Sequence, residues 1–148
     1  MESAAKGYNL IANVNNFDLS YDDLGEGGVP LIFLHGFPFS KQMWKEQLEF
    51  LKSSNRVIAC DIRGFGNSKD EVSVLSIDLF GDDLIQFMDY LNIDKAIVCG
   101  LSMGGYIALN AIKRFPDRFE GLILCDTQCI ADTPEGKLKR FKLIDELL

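Results

Sequence analysis

Four short runs of apolar residues alternate along the chain with longer segments whose apolar residues recur every three or four positions. The runs are LIFL at 31–34, VIAC at 57–60, AIVC at 96–99 and LILC at 122–125. Continuous apolar runs of this length are typical of strands in a parallel sheet, because helices cover both of its faces. Strands that alternate with helices predict βαβ units, and therefore an α/β fold around a mostly parallel sheet with helices on both faces.

Four helices are predicted between and after these strands. Ser40 has the side chain of an N-cap for a helix over about 41–52, and Ser76 has that of an N-cap for a second helix. A third helix is predicted from Met103 to about Phe115, where a proline follows as a stop signal. Residues 137–148 carry a fourth helical pattern that continues to the last residue.

The beginning of the chain has a different rhythm, in which apolar and polar residues alternate. Two such segments, around Tyr8–Ala12 and Phe17–Tyr21, flank the pair Asn15-Asn16. Alternation with a period of two is typical of strands with one buried face, and an asparagine pair favours a tight turn. We therefore predict an antiparallel hairpin that leads into the parallel sheet.

Composition narrows the class of protein. The 148 residues carry 15 Lys and Arg against 22 Asp and Glu, a formal net charge of −7 that argues against nucleic acid as a partner. The length fits one domain. No apolar run is long enough to span a membrane, and MESAAKGYNL lacks the apolar core of a secretory signal. We therefore expect a cytoplasmic protein that acts on a small molecule.

Four cysteines, at 60, 99, 125 and 129, form no C-x-x-C pair. Without that spacing, zinc binding and thioredoxin-like chemistry are disfavoured, and we expect no metal site. Cys60, Cys99 and Cys125 are each the last residue of an apolar run, which predicts small thiols buried in strands. In a cytoplasmic protein they would stay reduced.

Gly100-Leu101-Ser102-Met103-Gly104 has the pattern G-x-S-x-G between a predicted strand and a predicted helix. A serine on such a turn has strained backbone geometry, and neighbouring chains approach so closely that glycines are needed on both sides. Its hydroxyl would stand at the positive end of the following helix, where developing negative charge is stabilised. We therefore interpret Ser102 as a nucleophile. The alternative is a tight turn in which Ser102 only caps the helix.

His35-Gly36-Phe37-Pro38 follows the first parallel strand and is a candidate oxyanion loop. An oxyanion hole needs two backbone N–H donors that converge on one point. Met103, directly after the serine, can supply one of them. Pro38 has no N–H, so Phe37 is the natural choice for the other.

Three segments at the ends of predicted strands resemble motifs of the α/β-hydrolase superfamily. They are HGFP at 35–38, DIRGFGNS at 61–68 and GLSMGG at 100–105. The resemblance covers roughly residues 8–148 and is to the branch of small esterases, enol-lactonases and carbon–carbon bond hydrolases. It implies Ser102 as nucleophile, Phe37 and Met103 as oxyanion donors, and neither metal nor organic cofactor. It also implies that residues 1–126 are part of a hydrolase core and that 127–148 begin a helical cap.

The family's serine is activated by a histidine late in the chain, which an acidic residue orients. The single histidine here, His35, precedes Ser102 and belongs to the oxyanion loop, so we expect its ring to pack under that loop or to hydrogen-bond the backbone. Asp126 directly follows LILC. It is a candidate for the acid, and the competing interpretation is an aspartate that caps a loop.

The segment DIRGFGNS is interpreted as structural. Asp61 follows a strand, but Gly64 and Gly66 predict a turn with positive φ around it. Arg63 is expected to hydrogen-bond nearby carbonyls. The GFG spacing is not a dinucleotide fingerprint, because Lys69 stands where a third glycine or alanine is wanted.

We therefore expect a serine hydrolase that forms an acyl-enzyme from a carboxylic ester, a lactone or a similar carbonyl substrate. Its pocket would be shaped by Phe37, Phe39, Leu101 and Met103. The triad histidine would lie beyond residue 148, so the chain would be an incomplete fragment, inactive by itself, with LILC as an open sheet edge. The alternative is a non-catalytic binding or interaction protein that kept the pocket and lost its base.

Overall fold

The computed structural model describes residues 5–70 and 74–147, and a six-stranded sheet runs through them. The strands are β1 (Gly7–Val14), β2 (Phe17–Leu24), β3 (Leu31–Leu34), β4 (Val57–Cys60), β5 (Ala96–Leu101) and β6 (Phe119–Cys125). Their order across the sheet is β1-β2-β4-β3-β5-β6. Strands β4, β3, β5 and β6 are mutually parallel, whereas β2 is antiparallel to both of its neighbours. The predicted hairpin leading into a mostly parallel sheet is therefore confirmed.

The hairpin closes at the asparagine pair. Val14 and Phe17 are directly paired, and the two residues between them have left-handed backbones, with φ 45° at Asn15 and 63° at Asn16. Asparagine tolerates this region better than most residues. Two consecutive left-handed residues match the right-handed twist of the strands, which explains the tight connection.

In the described residues, four α-helices connect or follow the strands. They are α1 (Lys45–Leu51), α2 (Ile77–Tyr90), α3 (Met103–Arg114) and α4 (Pro134–Leu147). Ser76 caps α2 as predicted, since its hydroxyl accepts the Leu79 N–H at 3.1 Å. Within the described ranges, no helix combines the length and the apolar character that crossing a membrane requires.

The helix predicted over 41–52 has its expected start, capped by Ser40, but differs in its first turn, and the predicted start of the fourth helix is wrong. The first turn of the helix expected over 41–52 is a 3₁₀ helix, Lys41–Trp44, which precedes α1. Such tighter turns are frequent at helix starts, and this one is tied to another loop through the Lys41 N–H. Helix α4 begins at Pro134 rather than 137, because proline suits the first turn and Thr133 Oγ1 accepts the Gly136 N–H at 3.1 Å.

Successive residues of the central strands bury opposite faces of the sheet. Ile32, Ile58 and Val98 belong to a large apolar cluster that includes side chains of α2 and α3. Their neighbours in sequence belong to a second cluster around α1, whose members include Phe33, Ala59, Cys99, Trp44 and Leu48. Helices therefore cover both faces, as predicted, and the carboxyl ends of β3, β4 and β5 carry the loops that form the site.

Strand β6 is an edge of the sheet within the described residues, because it pairs only with β5. Ile123 is 43% exposed and Leu124 is 46% exposed. Since adjacent strand residues point to opposite faces, both faces of the sheet are partly uncovered here. The expected open edge at LILC is confirmed for the described part of the chain.

The cysteines differ in burial. Cys60 and Cys99 are buried in their strands, and burial raises the pKa of each thiol to about 12. The expectation of a buried thiol is wrong for Cys125, which is only partly buried because β6 is an edge. Cys129, in the segment after β6, is exposed.

Candidate active site

Ser102 alone connects β5 to α3. Its backbone has φ 48° and ψ −109°, a conformation that strains a residue with a side chain. Neighbouring groups hold it there, since the Ser102 N–H donates to the Cys125 carbonyl at 3.0 Å and the Ser102 carbonyl accepts from Thr127 Oγ1 at 2.9 Å. The hydroxyl makes no capping bond to α3, which disfavours the interpretation of Ser102 as a mere N-cap.

Glycines surround this turn because neighbouring backbone approaches too closely for a side chain. A Cβ on Gly104 would lie 2.8 Å from the carbonyl carbon of Leu34 and 2.9 Å from the carbonyl oxygen of His35. A Cβ on Gly100 would lie 2.6 Å from the backbone nitrogen of Gly105. Real Cβ atoms essentially never approach within 3.0 Å of such atoms. The turn can therefore form this close to β3 only with glycine at these positions.

The loop after β3 lies directly against the serine turn. A Cβ on Gly36 would lie 3.3 Å from the Leu101 carbonyl oxygen and 3.4 Å from Ser102 Cβ. The loop folds back on itself, because the Phe39 N–H donates to the Gly36 carbonyl at 2.9 Å. The Phe37–Pro38 peptide bond in this loop is cis. The fold thus brings together two segments that lie far apart in the sequence.

His35 is fully buried, and both of its ring nitrogens are engaged. Nε2 accepts the Ile62 N–H at 3.0 Å, which places the ring proton on Nδ1, 2.9 Å from the Gly36 carbonyl. Burial lowers the pKa of His35, although the bond to Gly36 and the charge of Asp61 act in the opposite direction. The prediction that this ring hydrogen-bonds the loop backbone is confirmed. Such a ring has no free nitrogen for proton transfer from Ser102.

Two backbone N–H groups beside the serine turn are unused. Across residues 5–70 and 74–147, neither the Phe37 N–H nor the Met103 N–H donates to an acceptor. Met103 is the first residue of α3, where N–H groups have no intrahelical partner. At the Gly36–Phe37 peptide, two donors hold the carbonyl, and a planar trans peptide directs its N–H to the opposite side. Their role as oxyanion donors remains a prediction.

Asp126 is exposed and has a left-handed backbone, with φ 42°. The residues on either side of it, Cys125 and Thr127, are those that bond the Ser102 backbone. Asp126 therefore lies between the two residues that bond the backbone of Ser102. The single histidine is occupied in the loop after β3, and the role of Asp126 as triad acid remains a prediction.

The predicted pocket residues are apolar and accessible to different degrees. Phe37 and Phe39 are 54% and 53% exposed, whereas Leu101 and Met103 are partly buried. Large apolar side chains that remain exposed together are typical of a binding surface. Sequence reasoning missed Phe65, whose ring meets that of Phe37 edge to face at 5.9 Å between centroids. An aromatic residue within a glycine-rich turn carried no signal for this contact.

The turn over DIRGFGNS matches its prediction in backbone geometry and differs in its contacts. Gly64 and Gly66 have positive φ, 83° and 52°, as expected. Arg63 bonds a carbonyl as expected, that of Asn15 at 3.4 Å, but its shorter bonds reach carboxylates, at 2.7 Å to both oxygens of Asp83 and at 2.6 Å to Asp70. The guanidinium fork fits carboxylates better than single carbonyls, which explains the shorter bonds.

No group of three or more His, Cys, Asp and Glu side chains in the described part of the chain is arranged to hold a metal ion. A cleft of about 610 Å³ lies beside α3 and the segment after β6. Its lining includes Tyr106, Lys113, Ile130 and Arg140. Ser102 does not line it, so this cleft is distinct from the serine turn.

The fold and the serine turn define a class of protein. The family described as alpha/beta hydrolase fold matches residues 29–143, from just before β3 into α4. This match includes the loop after β3, the turn after β4 and the serine turn. The chain belongs to the α/β-hydrolase family.

Particular relatives share sequence as well as fold. 3-Oxoadipate enol-lactonase 2 of Acinetobacter baylyi is 33% identical over 129 residues, which are 86% of this chain and 48% of that protein. A thermophilic esterase from Thermogutta terrifontis superposes with a TM-score of 0.84 at 36% identity, over 93% of this chain and 52% of that one. The enol-lactonase from Burkholderia xenovorans LB400 gives a TM-score of 0.81 at 30% identity, over 93% and 58%. The chain spans about half the length of these relatives.

Proposed function

We propose that this chain supplies the nucleophile and the oxyanion hole of a serine hydrolase. Ser102 Oγ attacks a carbonyl carbon to form an acyl-enzyme, and the N–H groups of Phe37 and Met103 bind the oxyanion that develops. The observation that carries this proposal is the strained backbone of Ser102 at the start of α3, with a hydroxyl free of any capping bond. A serine present only to cap the helix would accept a bond from its first turn.

The substrate class that fits best is a carboxylic ester, a lactone or a similar activated carbonyl compound. The exposed rings of Phe37 and Phe39 offer an apolar surface beside the serine turn. The relatives named as an esterase and as enol-lactonases support the same class. A serine at this position, in place of a carboxylate, disfavours epoxide hydrolase and haloalkane dehalogenase chemistry.

The proposed mechanism needs a general base, because an unactivated hydroxyl is a poor nucleophile. His35 cannot act as that base while both of its nitrogens are hydrogen-bonded. We therefore assign the base to a histidine outside these 148 residues, with Asp126 as one candidate for its acid partner. We assign residues 1–126 to the hydrolase core and 127–148, which contain α4, to the start of a cap over the site.

Labelling with a fluorophosphonate probe tests this proposal on the complete protein that the gene encodes. The probe is expected to modify Ser102, located by peptide mass spectrometry, and Ser102→Ala should abolish labelling. Ser54→Ala is the matched control, because Ser54 is exposed and lies in the turn after α1. Modification elsewhere, or none while a reference esterase is labelled, would contradict the nucleophile assignment. The absence of labelling would favour a non-catalytic binding protein of the same fold.

A further inference from the structure

Lys41 has no exposed side-chain surface. Its ammonium donates to Ser20 Oγ and to Asn9 Oδ1, each at 3.1 Å, and to Asp61 Oδ2 at 3.4 Å. Asp22 Oδ1 lies 3.9 Å away. These five residues are called the Lys41 cluster below. Lysine is almost never buried so completely unless its charge is paired, and Asp61 pairs it here. Because a buried lysine adds nothing to solubility, Lys41 must have another role.

The Lys41 cluster lies where the oxyanion loop ends. Lys41 is the first residue after the loop of residues 35–40, and its backbone N–H donates to Asp61 Oδ1 at 2.7 Å. The other oxygen of Asp61 accepts the Asn67 N–H at 2.9 Å. Gly66 passes so close that a Cβ there would lie 2.6 Å from Asp61 Oδ1. One carboxylate therefore joins the end of the oxyanion loop to the turn after β4.

The same cluster reaches the hairpin. Strand β1 is irregular between Gly7 and Leu10, and Asn9 within that stretch has φ 53°. The Asn9 N–H donates to Asp22 Oδ1 at 2.7 Å, while its side-chain oxygen accepts from Lys41. An irregularity that reorients one side chain is a common use of a bulge. The Lys41 ammonium thus joins the hairpin, the turn after β4 and the end of the oxyanion loop.

We propose that Lys41 is a positioning residue for the oxyanion donor of the proposed hydrolase. The start of the loop is anchored by His35 and its end by Lys41, and both anchors bind residues 61–62. The short segment between these anchors carries the Phe37 N–H. The two anchors together determine where that N–H stands relative to Ser102.

This inference rests on the proposed function, and it differs from a purely structural role in what it predicts for kinetics. An oxyanion contact forms mainly in the transition state. Its displacement therefore lowers kcat more than it raises KM. A lysine that only stabilised the fold would change the melting temperature and leave the kcat of each folded molecule unchanged.

The test measures kcat and KM of the complete enzyme for p-nitrophenyl butyrate, with the concentration of active sites titrated by the fluorophosphonate. Lys41→Met is expected to lower kcat by about 10- to 100-fold, the range for a misplaced oxyanion donor, with KM within about threefold. Asp61→Asn, which keeps the shape of the side chain, should lower kcat less. The double variant should be no worse than Lys41→Met, because both changes act on one interaction.

Asp23→Asn is the matched control. It breaks another ion pair, partly buried, between Asp23 and Arg56 Nη2 at 2.7 Å, at the opposite end of β4. It should lower the melting temperature and leave kcat unchanged. If Lys41→Met loses as much melting temperature as the control but keeps wild-type kcat, the positioning role is overturned. If Lys41→Met does not fold, an unchanged kcat in Asp61→Asn overturns it equally.

The two proposals can fail separately. If the wild-type protein neither hydrolyses esters nor labels at Ser102, the proposed function fails. The rate of amide hydrogen exchange in residues 36–40 then measures directly how firmly the loop is held. Faster exchange in Lys41→Met or Asp61→Asn than in Asp23→Asn would support the anchor, and equal exchange would overturn it.

Discussion

Alanine at position 104 is expected to destabilise the protein, because the added methyl group would meet the backbone of two consecutive residues at the end of β3. It would lie 2.8 Å from the carbonyl carbon of Leu34 and 2.9 Å from the carbonyl oxygen of His35. The Leu34 carbonyl oxygen would be closer still, and ordinary contacts begin at 3.4 Å, so α3 and β3 would have to separate by about an ångström. Strand β3 is paired on both sides, by β4 and by β5, and cannot yield easily.

Overpacking of this kind costs about 1–3 kcal/mol, and the rigid neighbours place Gly104→Ala near 3 kcal/mol. The better helix propensity of alanine offsets at most about 1 kcal/mol of this loss in stability. The expected net loss of about 2 kcal/mol in the free energy of unfolding corresponds to roughly 4–8 °C in melting temperature. Urea unfolding followed by the fluorescence of Trp44, the single tryptophan and a buried one, measures this loss.

Gly121→Ala is the control for this measurement. A Cβ on Gly121 would lie 3.7 Å from the nearest side-chain atom of Ile97, an ordinary contact. Its stability should stay within about 0.5 kcal/mol of wild type. If Gly104→Ala is no less stable than Gly121→Ala, close backbone approach is not the reason for glycine at this turn.

Three further predictions follow from contacts outside the serine turn. Arg63→Leu should lower the free energy of unfolding by about 3–5 kcal/mol in urea, because it leaves the buried Asp83 carboxylate without its two 2.7 Å bonds; a loss under about 1 kcal/mol would refute this. Burial lowers the pKa of His35 below its usual 6.5, so the unfolded chain binds this proton first. The contribution of the neutral His35 ring to the free energy of unfolding is therefore complete above about pH 6.5. It is lost as the pH falls below that, by at most about 1.4 kcal/mol per pH unit. His35→Gln should flatten that slope between about pH 7 and pH 5, and an unchanged slope would contradict the assignment. The 148-residue chain should self-associate through β6, where Ile123 and Leu124 are exposed, and a Lys at either position should shift gel filtration toward the monomer. Monomeric elution of the unchanged chain would contradict this.

The parts of the fold that could be predicted from the sequence depend on short-range rules. Strand and helix positions followed from apolar periodicity, and the hairpin turn followed from Asn15-Asn16. The serine turn was predictable because its requirement is steric and local. Glycines at 100 and 104 are required because neighbouring backbone leaves no room for a Cβ. Such patterns survive without knowledge of the rest of the molecule.

The contacts that could not be predicted join segments far apart in the chain. Lys41 stands in a segment that the sequence predicted as an ordinary helix start, where a lysine normally faces water. Its burial depends on Asn9, Ser20 and Asp61, which three different strands or loops bring together. The bond of Arg63 to Asp83 was missed for the same reason, because Asp83 lies on a helix that packs against the turn only in the folded state.

The part of the site that these residues form consists mainly of backbone groups. The backbone of Ser102 is held by its bonds to Cys125 and Thr127, and the proposed oxyanion donors are backbone N–H groups. A backbone donor keeps its place when its own side chain changes, provided that the loop is anchored elsewhere. The proposed anchors of the loop, His35 and Lys41, are buried, whereas the ring of Phe37 is exposed. If the proposed roles hold, the buried anchors determine the geometry of the oxyanion donors, and the exposed rings contact the substrate.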